Sequence, residues 1–200
     1  MGIYIEAIIL YILLFFSGFT YLIAGGTKLY IIPALALIWY LMFKSKKADF
    51  GALKPSKKDL VSGIIALPCL LVTGWIVSFI SMKTGDTSAQ LALQNPSTVL
   101  EWILLVLICI SAAYLEESYF RFYLLSRRQE LKLNAPLALV ISTALFSVCH
   151  IYEGPWGVLN AVLCGAILGV IFLRFNSLHG IAIAHGLYNI AAFVIYAITH

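Results

Sequence analysis

Residues 60–82, LVSGIIALPCLLVTGWIVSFISM, contain no Asp, Glu, Lys or Arg. An α-helix needs roughly 20 apolar residues to cross ~30 Å of hydrocarbon at ~1.5 Å per residue, so this segment is long enough to span a bilayer. The rest of the chain has the same character: 62% of its 200 residues are apolar, 11% are charged and the mean hydropathy is +0.98. Soluble domains carry about 25% charged residues. The composition therefore predicts an integral membrane protein and excludes a soluble globular domain.

Six further apolar segments accompany this one. The predicted spans are residues 3–24, 29–43, 60–82, 99–126, 133–152, 154–173 and 175–200. Strands of a membrane barrel alternate in polarity, and these segments do not. We therefore predict an all-α, polytopic fold of about seven transmembrane helices in a single membrane domain, residues 1–200. Residues 1–97 supply the N-terminal spans and loops, and residues 98–200 supply a core of four helices that contains the candidate functional residues described below.

The Lys and Arg residues predict the orientation, because cytoplasmic loops retain them. The linker 44–59, KSKKADFGALKPSKKD, contains six lysines. If it is cytoplasmic, the loop with Arg127, Arg128 and Lys132 and the Arg174 loop are cytoplasmic too, and the opposite side receives only Lys28 and Lys83. We predict a cytoplasmic N-terminus, an external loop at residues 85–98 and an external C-terminus. The net charge of +4 then reflects topology and contact with the lipid bilayer, and nucleic-acid binding has no support.

Ionisable residues within a span indicate function, because a charge at the bilayer centre costs at least about 2.5–3.5 kcal/mol. The stretch YLEESYFRFYLLSRR, residues 114–128, begins in the fourth predicted span and ends just beyond it. On a helix, Glu117 and Arg121 share a face, so we predict that they pair. Glu116 points about 100° away from Glu117 and faces a different neighbour. The alternative is a buried ionic network that only holds helices together.

Two further motifs place polar groups in later spans. FSVCH contains Phe146 and His150, and HGLYN places His185 and Asn189 on one helix face. Interhelical hydrogen bonding alone is an alternative for each motif. Counted at ~1.5 Å per residue from the predicted cytoplasmic ends, Glu116, His150, His185 and Asn189 fall in one central band of the membrane. This coincidence predicts one shared cavity.

Such a cavity suits amide hydrolysis. Glu116 with His150 would hold and deprotonate a water molecule, and His185 with Asn189 would donate hydrogen bonds to the oxyanion that forms when this water attacks a carbonyl. A zinc ion held by Glu116, His150 and His185 is the rival interpretation, since two histidines and a carboxylate form a hydrolytic ligand set. The HExxH motif is absent.

Other polar residues near the spans receive no functional role. We expect Glu6 to reach towards the N-terminal surface, and we interpret His179 and His200 as interfacial. The four cysteines lack CxxC spacing and are interpreted as packing residues; they are Cys69, Cys109, Cys149 and Cys164.

The three motifs, in this order, resemble the CAAX protease and bacteriocin-processing (CPBP or Abi) family, which includes type II CAAX prenyl endopeptidase-like intramembrane proteases. EExxxR is Glu116, Glu117 and Arg121, FxxxH is Phe146 and His150, and HxxxN is His185 and Asn189. The resemblance covers about residues 115–192 and departs at Phe122, where many members have Gly after the Arg.

The resemblance implies an intramembrane glutamate-type endopeptidase that requires no metal. Glu116 and His150 would be the water-activating pair, and His185 with Asn189 would be the oxyanion site. Glu117, Arg121 and Phe146 carry over as structural members of the motifs.

The substrate does not carry over from the family. The compact size suggests a prokaryotic member in the plasma membrane, acting on a membrane-associated peptide or protein rather than on prenylated CAAX proteins. Two alternatives stay open. One is a non-catalytic bacteriocin self-immunity or scaffold protein, and the other is a proton-coupled transporter, against which the lack of internal repeats argues.

Overall fold

The protein is almost entirely helical. The computed structural model describes residues 2–24, 31–44, 50–85 and 96–199, of which residues 16–24, 31–33 and 199 are described by their backbone alone. In these residues there are seven α-helices: α1 (Gly2–Ala24), α2 (Ile31–Lys44), α3 (Lys57–Thr84), α4 (Val99–Glu117), α5 (Ala135–Val148), α6 (Gly154–Phe175) and α7 (Leu178–Thr199). A π-helical turn, Ser118–Tyr123, continues α4, and 3₁₀ helices occur at Phe50–Leu53 and Ile151–Glu153. The predicted all-α fold is confirmed, and each predicted span corresponds to one helix.

Several sequence-based assignments fall outside the described residues. These are Lys28, residues 45–49 of the lysine-rich linker, residues 86–95 of the predicted external loop, and His200.

Four of the described helices are long and apolar enough to cross a membrane. They are Lys57–Thr84, Val99–Tyr123, Ile151–Phe175 and Leu178–Ile198. Three shorter apolar segments, Gly2–Phe15, Ala34–Lys44 and Ala135–Val148, accompany them. On α3 the side chains of Ile64 and Trp75 are 62% and 69% exposed. Water would not favour so apolar a surface, whereas hydrocarbon does, and this agrees with a polytopic membrane fold.

Capping residues fix where the helices begin. Before α3, the Ser56 side chain accepts a hydrogen bond from the Lys58 N–H, and the Asp59 carboxylate accepts one from the Ser56 N–H. Before α4, Thr98 and Glu101 form the same reciprocal arrangement. These capping boxes satisfy backbone N–H groups that lack a partner within the helix.

Five helices, α3 to α7, pack in close pairs. α7 lies against α3 and α4, while α6 lies against α3 and α5. A Cβ added at Gly180 of α7 would overlap the Asp59 carbonyl oxygen, and one at Gly63 would lie 3.2 Å from the Gly180 carbonyl oxygen. Small residues at these positions allow the α3 and α7 backbones to approach, as in many membrane helix pairs.

Helix α1 is attached to the segment that follows α4 through polar contacts. The Tyr119 hydroxyl donates to the Ala7 carbonyl over 2.7 Å, and Arg127 Nη1 donates to Glu6 Oε1 over 2.7 Å. The Tyr123 hydroxyl also donates to Glu6. Burial acts to lower the pKa of Arg127, but hydrogen bonds with Glu130 and Glu6 outweigh it and raise that pKa. Glu6 therefore joins α1 to the segment that follows α4, a role that the sequence analysis did not assign to it.

Candidate active site

The EExxxR motif lies at a change of helix geometry. Glu116 and Glu117 end α4, and the next six residues form the π-helical turn. Within this region the Leu124 N–H donates to the Tyr119 carbonyl, five residues earlier, over 3.0 Å. A π-helical turn inserts an extra residue and so rotates the side chains that follow, and such turns are frequent at functional sites. The side chains of Ser118 to Tyr123 are all buried as a result.

Glu117 and Arg121 form the ion pair that their spacing predicts. Arg121 Nη1 lies 3.2 Å from Glu117 Oε1, and both side chains are 0% exposed. Arg121 Nη2 donates to the Gly165 carbonyl of α6 over 3.0 Å. The guanidinium also lies 4.7 Å from the centre of the Phe146 ring, within the range of a cation–π contact. This pair therefore joins α4, α5 and α6.

His185 of α7 connects the two glutamates. Its Nδ1 lies 2.9 Å from Glu117 Oε1, and its Nε2 lies 3.7 Å from Glu116 Oε2. Because an ionised carboxylate only accepts, Nδ1 carries the hydrogen in this contact. The Glu117 carboxylate thus receives contacts from both Arg121 and His185, and it orients the imidazole so that Nε2 faces Glu116.

Phe146 connects the second motif to the other two. Its ring centre lies 4.6 Å from that of His150 and 5.9 Å from that of His185. His150 Nδ1 lies 2.9 Å from the Phe146 carbonyl oxygen. A carbonyl can only accept, so His150 donates through Nδ1 and its Nε2 is available as an acceptor.

The predicted site residues divide into a buried group and a more accessible group. Glu117, Arg121, Phe146 and His185 are buried. The side chain of Glu116 is 24% exposed, and His150 and Asn189 are of intermediate exposure. Among the described residues, the Asn189 amide makes no hydrogen bond, and Glu116 makes no direct contact with His150. The structure thus brings residues of the three motifs together through Glu116, Glu117, Phe146, His150 and His185.

Three features of the site escape motif-based reasoning. The first is the π-helical turn, which no local pattern announces. The second is Gly165, where a Cβ would lie 3.0 Å from Phe146 Cδ1 and 3.6 Å from Arg121 Nη2. The GxxxG spacing of Gly165 and Gly169 is the available signal, since it is typical of close helix packing. The third is Tyr188, whose hydroxyl accepts from Asn160 Nδ2 over 2.8 Å beside the motif residues of α7.

Several residues interpreted as structural are placed accordingly. His179 Nε2 donates to the Leu53 carbonyl over 3.0 Å, which leaves Nδ1 to accept from the Tyr114 hydroxyl over 3.1 Å. Phe122 is fully buried and its ring lies edge-on to Phe50 at 6.4 Å, so the departure from the family pattern fills the core. The four cysteines form no disulfide bond within the described part of the chain.

The zinc interpretation requires Glu116, His150 and His185 to converge on one point. In the described ranges, no group of three or more His, Cys, Asp or Glu side chains is arranged to hold one. The nearest relevant contact is the 3.7 Å between His185 and Glu116, while His150 donates to a backbone carbonyl. Cleavage assays with a chelator test the zinc interpretation.

Comparisons with known proteins give one similarity, and it covers this site. Searches of curated proteins and of solved structures found no match to the chain. A family model, that of the Rce1-like type II CAAX prenyl endopeptidases, matches residues 98–191. This stretch contains all three motifs and the whole residue cluster described above. Residues 98–191 of this integral membrane protein are therefore similar to the Rce1-like type II CAAX prenyl endopeptidases.

Proposed function

We propose that the protein is an intramembrane endopeptidase that hydrolyses a peptide bond in a membrane-associated peptide or protein. The family indicates a CAAX-type intramembrane protease in general terms. The observation that carries the finer proposal is the contrast between two adjacent carboxylates: Glu117 is fully buried against Arg121, whereas Glu116 is 24% exposed and has no Arg or Lys partner among the described residues. Such a carboxylate is free to take a proton.

Water activation is assigned to Glu116 and His150. The lone pair on His150 Nε2 accepts a hydrogen bond from the water, because Nδ1 donates to the Phe146 carbonyl. Glu116 takes a proton from the same water as its oxygen bonds to the carbonyl carbon of the substrate. When the tetrahedral intermediate collapses and the C–N bond breaks, Glu116 returns that proton to the leaving amine.

Oxyanion stabilisation is assigned to His185 and Asn189. His185 donates through Nδ1 to Glu117, so Nε2 can donate as well only when both ring nitrogens carry hydrogen. The charges then balance: Arg121 and His185 are positive, and Glu116 and Glu117 are negative. The Asn189 amide, one helical turn from His185, makes no hydrogen bond to a described residue and is free to donate to the developing charge.

Purified protein in liposomes, mixed with a panel of membrane-anchored peptides, tests this function. Mass spectrometry of the products identifies the bond that is cut. We expect Glu116→Gln to abolish cleavage, because the amide cannot accept the proton. The matched control is Glu101→Gln, the same isosteric change about 22 Å away along the same helix, which should cleave normally.

Three outcomes distinguish the alternatives. Cleavage by Glu116→Gln at the wild-type rate would refute the proposal. Peptide binding without cleavage by the wild-type protein would instead favour the non-catalytic immunity or scaffold function. Loss of cleavage in chelator, with recovery on adding zinc, would replace the metal-free mechanism with one that uses zinc bound near Glu116.

A further inference from the structure

Glu153 is a carboxylate beside the site that none of the three motifs includes. It ends the 3₁₀ helix Ile151–Glu153 that follows His150, and its N–H donates to the His150 carbonyl over 2.9 Å. Gly154 follows with φ 76° and ψ −178°, a conformation that residues with a Cβ rarely adopt. The backbone therefore holds Glu153 in a fixed position relative to His150.

Glu153 has no structural partner that accounts for it. It immediately precedes α6, where an acidic residue often caps the helix, but its side chain makes no capping hydrogen bond. Among the described residues its carboxylate forms neither a hydrogen bond nor an ion pair. The other described carboxylates all have such contacts, formed by Glu6, Asp59, Glu101, Glu116, Glu117 and Glu130.

The Glu153 carboxylate lies on the side of α6 that faces the site. A Cβ at Gly157 would be 3.0 Å from Glu153 Oε2, so the side chain packs along the first turn of α6. Gly157 shares a face of α6 with Cys164, seven residues further on, and Gly165, which follows Cys164, accepts the hydrogen bond from Arg121.

The charges around the site do not balance once Glu153 is included. Arg121 is paired with Glu117, and a doubly protonated His185 is matched by Glu116. Glu153 then contributes one uncompensated negative charge, on a side chain of intermediate exposure. A carboxylate without a partner favours a cationic side chain that comes within hydrogen-bond distance.

We propose that Glu153 selects peptides that carry a Lys or Arg side chain near the bond that reaches Glu116. For cleavage, this inference rests on the proposed function; for binding, it does not. A charge-assisted hydrogen bond between Glu153 and a cationic side chain should favour such peptides at least about tenfold over acidic ones.

The probe is a library of lipid-anchored synthetic peptides with randomised residues, offered to the purified protein in liposomes. Binding is measured in the Glu116→Gln background, so that peptides are not consumed, and bound peptides are sequenced. We expect Lys and Arg to be enriched about tenfold over Asp and Glu at one position. Adding Glu153→Gln should remove this preference, adding Glu153→Asp should retain it, and adding Glu153→Lys should reverse it. Adding Glu101→Gln instead is the matched control and should leave the preference unchanged.

Each result decides the proposal. Equal enrichment with and without Glu153→Gln, no enrichment of cationic residues at any position, or no bound peptide at all would overturn it. A parallel cleavage assay with Glu116 intact separates this inference from the proposed function. Binding preference without cleavage would refute the protease and keep the cationic subsite, whereas cleavage without charge preference would refute the subsite and keep the protease.

Discussion

The buried pair of Glu117 and Arg121 should be energetically coupled, and a double-mutant cycle can measure the coupling. Arg121→Met keeps a long side chain but removes the cation, which leaves the Glu117 carboxylate fully buried with His185 as its remaining partner. Removing one member of a buried ion pair typically costs about 3–5 kcal/mol. Because His185 still contacts Glu117, we expect a value near the lower end, about 3 kcal/mol.

The reverse change, Glu117→Gln, removes the anion in contact with Arg121 and leaves the buried cation beside neutral groups such as the Gly165 carbonyl and the Phe146 ring, and we expect a similar cost of about 3 kcal/mol. The double variant contains neither charge, and the amide oxygen that the Glu117→Gln change introduces can still accept from His185. The double variant should therefore lose less than the sum of the two single changes, with a coupling of at least about 2 kcal/mol.

Reversible unfolding in mixed micelles, followed by circular dichroism, measures these free energies. Arg174→Met is the matched control, because Arg174 is exposed, and it should change stability by less than about 0.5 kcal/mol. Additive single effects, with a coupling near zero, would contradict the ion pair as the element that joins α4 to its neighbours.

Three further predictions concern helix packing around the site. Gly165→Ala should lower cleavage at least tenfold and cost about 1–3 kcal/mol, because the new Cβ lies 3.0 Å from Phe146 Cδ1; product formation and unfolding measure both effects. Gly180→Ala should cost about 3 kcal/mol in the same unfolding assay, since its Cβ would overlap the Asp59 carbonyl oxygen, and a neutral result would contradict the close α3–α7 contact. Glu6→Gln should weaken the docking of α1 by about 1–2 kcal/mol through loss of a charge-assisted bond from Arg127, and it should increase hydrogen exchange in α1.

Much of the fold could be predicted from the chain alone. Uncharged runs of about 20 residues have few alternatives to membrane helices, because every backbone polar group in hydrocarbon needs a partner within the segment. The start of α4 is also set locally, because the side chains of Thr98 and Glu101 satisfy its first N–H groups. The pairing of Glu117 with Arg121 follows from spacing on a single helix.

The tertiary structure alone decided how residues from different helices meet. Nothing in the sequence near Glu117 says that Gly165 of α6 accepts from Arg121, or that His185 of α7 lies between two glutamates. Glu6 shows the same limit, because its partner Arg127 is distant in sequence and close only after α1 docks. Residues in one helix are related by a fixed rotation and rise, so their pattern can be read from the sequence. Contacts between helices depend on packing and on the π-helical turn that rotates the EExxxR motif, and only the folded chain determines these.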